Sequence, residues 1–311
     1  MKFTKMHGAG NDFVVLDAHD ETRDWSRLAI AICDRHYGIG ADGVLLLMPS
    51  DVADFRMRIF NADGSEANTC GNGIRCLVKC FVETRGIDGR TRRITVETLP
   101  GVRDAWFTRT EGKATSVKIG MGRPEFRDKD IPVDLSHAGE RVVDIKSMIE
   151  CELAVNGSRL ALDLMSLGNP HAVHFVQTPV ADFPLETLGT EIQQHRMFPG
   201  GVNFEVARVI GGRCVEARVW EQGVGETLAC GSGACAITVA ARLHGYVADK
   251  AEIMLPGGKL EIEWDETGEV FLSGPAETVF VGEWPDASCP DDVSGPCDKS
   301  ETSLVHASKT R

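Results

Sequence analysis

The chain repeats itself. Residues 58–73 read Arg-Ile-Phe-Asn-Ala-Asp-Gly-Ser-Glu-Ala-Asn-Thr-Cys-Gly-Asn-Gly, and residues 218–233 read Arg-Val-Trp-Glu-Gln-Gly-Val-Gly-Glu-Thr-Leu-Ala-Cys-Gly-Ser-Gly. The two runs align without a gap at an offset of 160, and Arg58, Glu66, Cys70, Gly71 and Gly73 meet identical residues at 218, 226, 230, 231 and 233. Two fainter echoes extend the pattern. Gly40-Ala-Asp-Gly43-Val faces Gly200-Gly-Val-Asn203-Phe at the same offset, and Gly10-Asn11 faces Gly168-Asn169 at nearly the same one. A chain built this way should fold as two copies of one plan. Its 311 residues suffice for two ordinary domains.

The local patterns agree between the halves. Phe13–Ala18, Val44–Met48 and the alternating Phe55–Phe60 read as strands in the first, with a helix over Trp25–Cys33 from its apolar spacing. A second helix is expected from Gly71 to near Gly86, with Ile74, Leu77, Val78 and Phe81 on one face. In the second half Ala172–Val176, Phe204–Ile210 and Cys214–Trp220 read as strands, and a helix should run from Gly231 to Leu243 and stop at Gly245. After Trp284 the chain turns to Pro, Ser and Asp with few large apolar residues, so 285–311 is expected to be a disordered tail in which Cys289 and Cys297 are incidental.

Composition narrows the partners. A net charge of −13 argues against nucleic acid, whose phosphates need clustered Lys and Arg, and against an anionic membrane surface. The N-terminus carries no apolar signal core and no run is long enough to span a bilayer. Ten cysteines spread through so long a chain then read as free thiols in the cytoplasm. A small polar metabolite is the partner that remains.

Each repeated cysteine precedes a Gly-x-Gly and an expected helix. A helix start offers unpaired N–H groups and partial positive charge, which suits a carboxylate and can depress a thiol pKa. Two such starts on one cleft would hold an amino-acid carboxylate between two thiols. One thiolate could take the α-proton from one face while the other thiol returns a proton to the opposite face, as in a cofactor-independent racemase or epimerase. Hydrogen bonds to the carboxylate would spread the developing negative charge, the task a pyridoxal cofactor performs elsewhere. No cofactor and no metal are expected. No lysine is marked as a Schiff-base partner, and no Cys-x-x-Cys pair exists. Gly38-Ile-Gly-Ala-Asp-Gly43 matches a dinucleotide-binding string, but it precedes a strand where that pattern should follow one. Asn11, Asn61, Asn72, Asn169 and Asn203 sit beside glycines or at turn-like junctions and suggest a polar cleft. Glu221, opposite Asn61 in the repeat, could face an ammonium, and His171 either tunes a thiol or caps a strand. A thiol-redox or metal-binding protein is the alternative of another class.

On these residues the chain resembles the diaminopimelate epimerase family. The resemblance rests on His7–Phe13, Asn61–Ser65 with Cys70–Cys76, Gly168–His171, Gly201–Phe204 and Gly225–Cys235, in the family's order. It implies two pseudo-symmetric α/β (α+β) domains, each a strongly curved, mostly antiparallel sheet round a central helix. The domains would be residues 1–119 plus 277–284, and 120–276. It also implies a homodimer that interconverts LL- and meso-diaminopimelate on the route to lysine and peptidoglycan. Carried across, Cys70 and Cys230 are the acid–base pair, and Gly71, Asn72, Gly231 and Ser232 bind the reacting carboxylate through backbone N–H groups. Asn11 and Glu221 lie by the reacting amino group, and Asn61, Asn169 and Asn203 read the distal centre. Two departures concern substrate grip. Some members carry Gln where this chain has Gly43, and the usual Arg that pairs with the distal carboxylate is Gln222 here. Glutamine lacks the charge and the bidentate fork, forgoing something like the ~1.5–3 kcal/mol of a charged hydrogen bond. A related racemase for another amino acid is the alternative this departure raises.

Overall fold

A computed structural model describes residues 1–285 apart from 20–21, 86, 88–89, 111–112, 140–141 and 266. The expected tail therefore lies outside the described residues from 286 onward, as does the expected helix end at Gly86.

The Gly43–Met48 strand shows how the sequence builds each half. All six residues are buried, because both faces of this strand are covered. Leu45 and Leu47 point into one core with Ile74, Leu77 and Val78, whereas Val44, Leu46 and Met48 point into another with Trp25, Leu28 and Ile32. The first set packs on helix α2 (Gly71–Thr84) and the second on helix α1 (Trp25–Cys33). Alternation is invisible in Gly-Val-Leu-Leu-Leu-Met since neither face meets water.

The second half is built the same way. Strand Asn203–Gly211 sends Phe204 and Val206 to the side of helix α3 (Leu185–Gln193) and Ala207 to the side of helix α4 (Gly231–Leu243). Pairings match step for step. Asn11–Asp17 runs parallel to Gly43–Met48, as Pro170–Phe175 does to Asn203–Gly211. Phe55–Asn61 pairs antiparallel with Gly43–Met48, as Cys214–Glu221 does with Asn203–Gly211. Each central helix thus sits inside its own sheet, and a smaller helix covers the outside. The fold is α+β, rich in sheet and poor in helix, as anticipated.

Strand pairing is continuous between the halves, where Lys113–Gly122 meets Val270–Gly274 antiparallel. The last strand, Glu277–Glu283, pairs antiparallel with Lys2–Gly8 at the start of the chain. Helix α4 ends as expected, with Gly245 in the left-handed region at φ 80°, where a glycine carries no Cβ penalty. Helix α3 and the hairpins between residues 93 and 166 were not foreseen from periodicity. In α3 only Leu185, Leu188, Gly189 and Ile192 are buried, too short a stripe to stand out.

Candidate active site

Cys70 and Cys230 are the N-caps of α2 and α4. Both have extended backbones, and each Sγ accepts from the N–H of the glycine three residues on, Gly73 or Gly233, at 3.4 Å. Sulfur here takes the place of the usual capping oxygen. Glycine at the third position of each helix leaves room for a side chain packed against it. A Cβ on Gly73 would come within 2.9 Å of Leu45 Cδ2, and one on Gly233 within 2.9 Å of Glu205 Oε1.

The two helix starts meet. A Cβ on Gly231 would lie 3.8 Å from Gly71 Cα, and the Asn72 side chain crosses between the halves to donate to the Ala229 carbonyl at 3.0 Å. Asn72 Nδ2 also donates to Asn11 Oδ1 at 3.2 Å, and its own Oδ1 accepts from Arg75 Nη2 at 2.8 Å. Arg75 is fully buried, held by the Pro275 carbonyl at 3.1 Å through Nε, and its Nη1 has no partner.

A cleft of about 1310 Å³ opens beside this junction. Asn11, Asn61, Cys70, Asn169, Asn203, Glu221 and Gln222 line it. Cys230, Gly71, Asn72, Gly231 and His171 are buried beside it and Ser232 is half-buried, and none of the six lines it. Cys70 Sγ lies 3.7 Å from Asn11 Oδ1, and Asn11 Nδ2 donates to Asp42 Oδ2 at 2.8 Å. Cys230 Sγ lies 3.5 Å from Ser232 Oγ, and the nearby Glu221 carboxylate accepts from Thr227 Oγ1 at 2.5 Å. Asn61 Nδ2 is turned to Ser65 Oγ at 2.9 Å. Gln222 is anchored by its backbone N–H on Asn203 Oδ1 at 3.0 Å, with its side chain on the Gly200 carbonyl. Asn203 Nδ2 donates to the Pro170 carbonyl at 2.9 Å.

The helix starts do not depress the thiol pKa values here. Burial pushes the Cys70 thiol up to about 11, against the smaller pull of the Gly73 N–H, and the Glu221 carboxylate adds to the rise. Cys230 is pushed well above its ordinary range, first by burial and then by Glu221. A helix N-terminus contributes only partial charge, and removing a thiolate from water costs more than that charge returns. Glu221 itself is raised by burial. Both sulfurs are therefore thiols in the open cleft.

Several residues that shape the site carried no signal in the repeat. Arg75 and Glu205 lie one layer behind the cleft, and Thr227 and Asp42 fix Glu221 and Asn11. Glu205 was the most findable. It is a carboxylate between Phe204 and Val206, at the position where the first copy has Leu45.

The family model described as diaminopimelate epimerase matches residues 3–127 and 164–279. Among curated relatives, a diaminopimelate epimerase of Methanococcus maripaludis is 44% identical over 285 residues, covering 91% of this chain and 99% of its own. One of Acetivibrio thermocellus is 45% identical over 285 residues, covering 91% and 98%. Solved structures share the fold at lower identity. A PhzF-family phenazine biosynthesis protein from Bacillus anthracis superposes with TM-score 0.67 at 16% identity, covering 92% of this chain and 99% of that one. A probable proline racemase from Agrobacterium radiobacter, with bound carbonate, gives the same TM-score and identity, covering 91% and 92%. By the family model and by relatives of this identity over nearly the whole length, the chain belongs to the diaminopimelate epimerase family.

Proposed function

We infer that the chain is an isomerase that epimerises diaminopimelate, converting the LL and meso forms through proton exchange at one α-carbon. Diaminopimelate epimerases at about 44% identity over nearly the whole chain carry that reading. The racemase alternative for another amino acid is not favoured by them.

We propose Cys70 and Cys230 as the acid and base. The observation behind this is their equivalent placement as caps of two helices whose starts touch. In one direction Cys230, as thiolate, accepts the α-proton while Cys70 donates its S–H proton to the other face, leaving Cys230 a thiol and Cys70 a thiolate. The reverse direction starts from that state, and a second turn in the same direction requires Cys70 to regain a proton from solvent and Cys230 to release one to it, which restores the starting enzyme. The N–H groups of Gly71, Asn72, Gly231 and Ser232 would take the reacting carboxylate, Asn11 and Glu221 the ammonium, and Asn61, Asn169, Asn203 and Gln222 the distal centre. The proposed units are residues 1–119 with 277–284, and 120–276. We further propose a cytoplasmic homodimer serving lysine and peptidoglycan synthesis. The eight free cysteines among the described residues suit a reducing compartment.

The test is solvent deuterium entry at the α-carbon of LL-diaminopimelate without added cofactor. It should occur in the parent protein and vanish in Cys70→Ala and in Cys230→Ala. Turnover that survives both substitutions would refute the two-thiol mechanism.

A further inference from the structure

Behind Cys230 lies a buried polar pair that the first half lacks. His171 and Glu205 are both fully enclosed, with Nδ1 2.7 Å from Glu205 Oε1. Strand register identifies their counterparts. His171 pairs with Asn203 as Phe13 pairs with Gly43, and Glu205 stands 160 residues after Leu45. Phe13 and Leu45 pack in the apolar core round α2. The same two positions under α4 hold an imidazole and a carboxylate. Burying them costs free energy that an apolar pair would not.

The pair is the far end of a chain of contacts that reaches a thiol. His171 Nε2 meets Asn169 Oδ1 at 3.0 Å, Asn169 Nδ2 donates to Ser232 Oγ at 3.4 Å, and Ser232 Oγ lies 3.5 Å from Cys230 Sγ. Both ring nitrogens face oxygen. A neutral ring against an ionised Glu205 would leave one nitrogen lone pair pointing at an oxygen lone pair. With Asn169 Oδ1 turned to it, Nε2 is the ring nitrogen placed to donate to Asn169. With its oxygen accepting from Asn169, the Ser232 hydroxyl keeps its hydrogen for Cys230. Glu205 Oε1 occupies space that a Cβ on residue 233 would approach to 2.9 Å.

We propose that Glu205 is a positioning residue for the epimerisation, holding His171 so that Asn169 and Ser232 present a hydroxyl donor to the Cys230 sulfur. This rests on the epimerase reading above. The role is to orient, so it needs a hydrogen-bond partner at Nδ1. It gives the second thiol a preset donor, whereas Cys70 faces the acceptor Asn11 Oδ1.

The test is a double-mutant cycle on diaminopimelate exchange, with unfolding midpoints measured in parallel. Glu205→Leu, which installs the first-half residue, should lower kcat by about ten- to a hundredfold, with KM little changed. Glu205→Gln, which keeps a partner for Nδ1, should recover most of that loss. In a His171→Phe background Glu205→Leu should cost nothing further, because the double variant restores the apolar pair of the first half. Wild-type kcat in Glu205→Leu would overturn the proposal. So would a Gln variant as impaired as Leu, or losses that multiply in the double variant. Should Glu205→Leu alone not fold, the Gln variant and the double variant against His171→Phe carry the comparison. Nitrogen-15 NMR of His171 in the parent protein needs no turnover: a protonated Nε2 is required, and an unprotonated one overturns the proposal. A parent protein inert on diaminopimelate would instead fault the epimerase reading, leaving the NMR result to judge Glu205.

Discussion

Cys70 offers a direct test of whether burial or the helix start governs the thiols. At pH 7.5 an ordinary thiol of pKa ~8.5 is about 9% thiolate. With Cys70 raised to about 11 the fraction is about 0.03%, so its thiolate population is about 300-fold smaller. The sign is definite: the thiolate grows as pH rises and does not level off below about 11. Cys70 lines the cleft, so a small alkylating agent can reach it, whereas Cys230 is buried behind it. Iodoacetamide labelling of the Cys70 peptide, followed by mass spectrometry from pH 7 to 9.5, should show a rate rising tenfold per pH unit without a plateau. At pH 7.5 the rate should be some hundreds of times below that of a free cysteine peptide. Glu221→Gln should speed labelling, because the neighbouring carboxylate is one cause of the rise. A Cys70 that labels at the free-peptide rate, or saturates near pH 8, would mean that the α2 start outweighs desolvation, and the account of both thiols would fall.

Other expectations concern the scaffold. Asn72→Ala leaves the Ala229 carbonyl and Arg75 Nη2 without their partner and should cost about 2–4 kcal/mol, read as a lower urea midpoint at unchanged m-value. Gly257→Ala would drive a methyl onto the Ala9 carbonyl and to 3.0 Å from the Leu228 carbonyl. Backbone cannot yield as a side chain does, so a loss of about 1–3 kcal/mol is expected on thermal unfolding. Asp163, beside His244, is raised to about 6 by burial. An acid raised in the folded state stabilises most below its unfolded pKa and loses that contribution as pH climbs through about 6. Asp163→Asn should therefore remove about 2 kcal/mol of pH dependence between pH 4 and 7.

The sequence carried the site better than the scaffold. Cys70, Cys230 and their glycines were legible because the same chemistry is written twice, and a match at one offset cannot come from local propensity. Helix α2 was legible from Ile74, Leu77 and Val78, which keep one buried face. The hairpins between residues 93 and 166 were not, because their strands are half exposed and take their register from partners distant in the chain, such as Phe271 against Gly120. Arg75 and Glu205 escaped notice for a related reason. Their meaning lies in what surrounds them, and one copy's Glu205 is the other's Leu45. The thiol pKa values were not legible because a helix start shows in sequence, whereas depth of burial does not.

Gln222 poses the sharpest question about substrate grip. Diaminopimelate carries a second carboxylate, and in the described cleft wall Arg35 is the only lysine or arginine. Its guanidinium is already engaged, 2.8 Å from both Asp12 and Asp42. Neutral donors are therefore left to receive the distal group, and Gln222 is tethered to the Gly200 carbonyl rather than free. A Cβ on Gly201 would come within 3.1 Å of Gln222 Cγ, so the glycine there lets the side chain lie down on the turn. Gln222→Arg would lose that tether and add a bidentate cation, worth roughly 1.5–3 kcal/mol against the carboxylate. The distal group is remote from the reacting carbon, so ground state and transition state should gain alike. KM for diaminopimelate should then fall about ten- to a hundredfold with kcat nearly constant. A fall in kcat matching the fall in KM would mean that the added grip holds only the ground state. An unchanged KM would mean that the distal carboxylate does not approach residue 222, and the assignment of that wall would have to be redrawn.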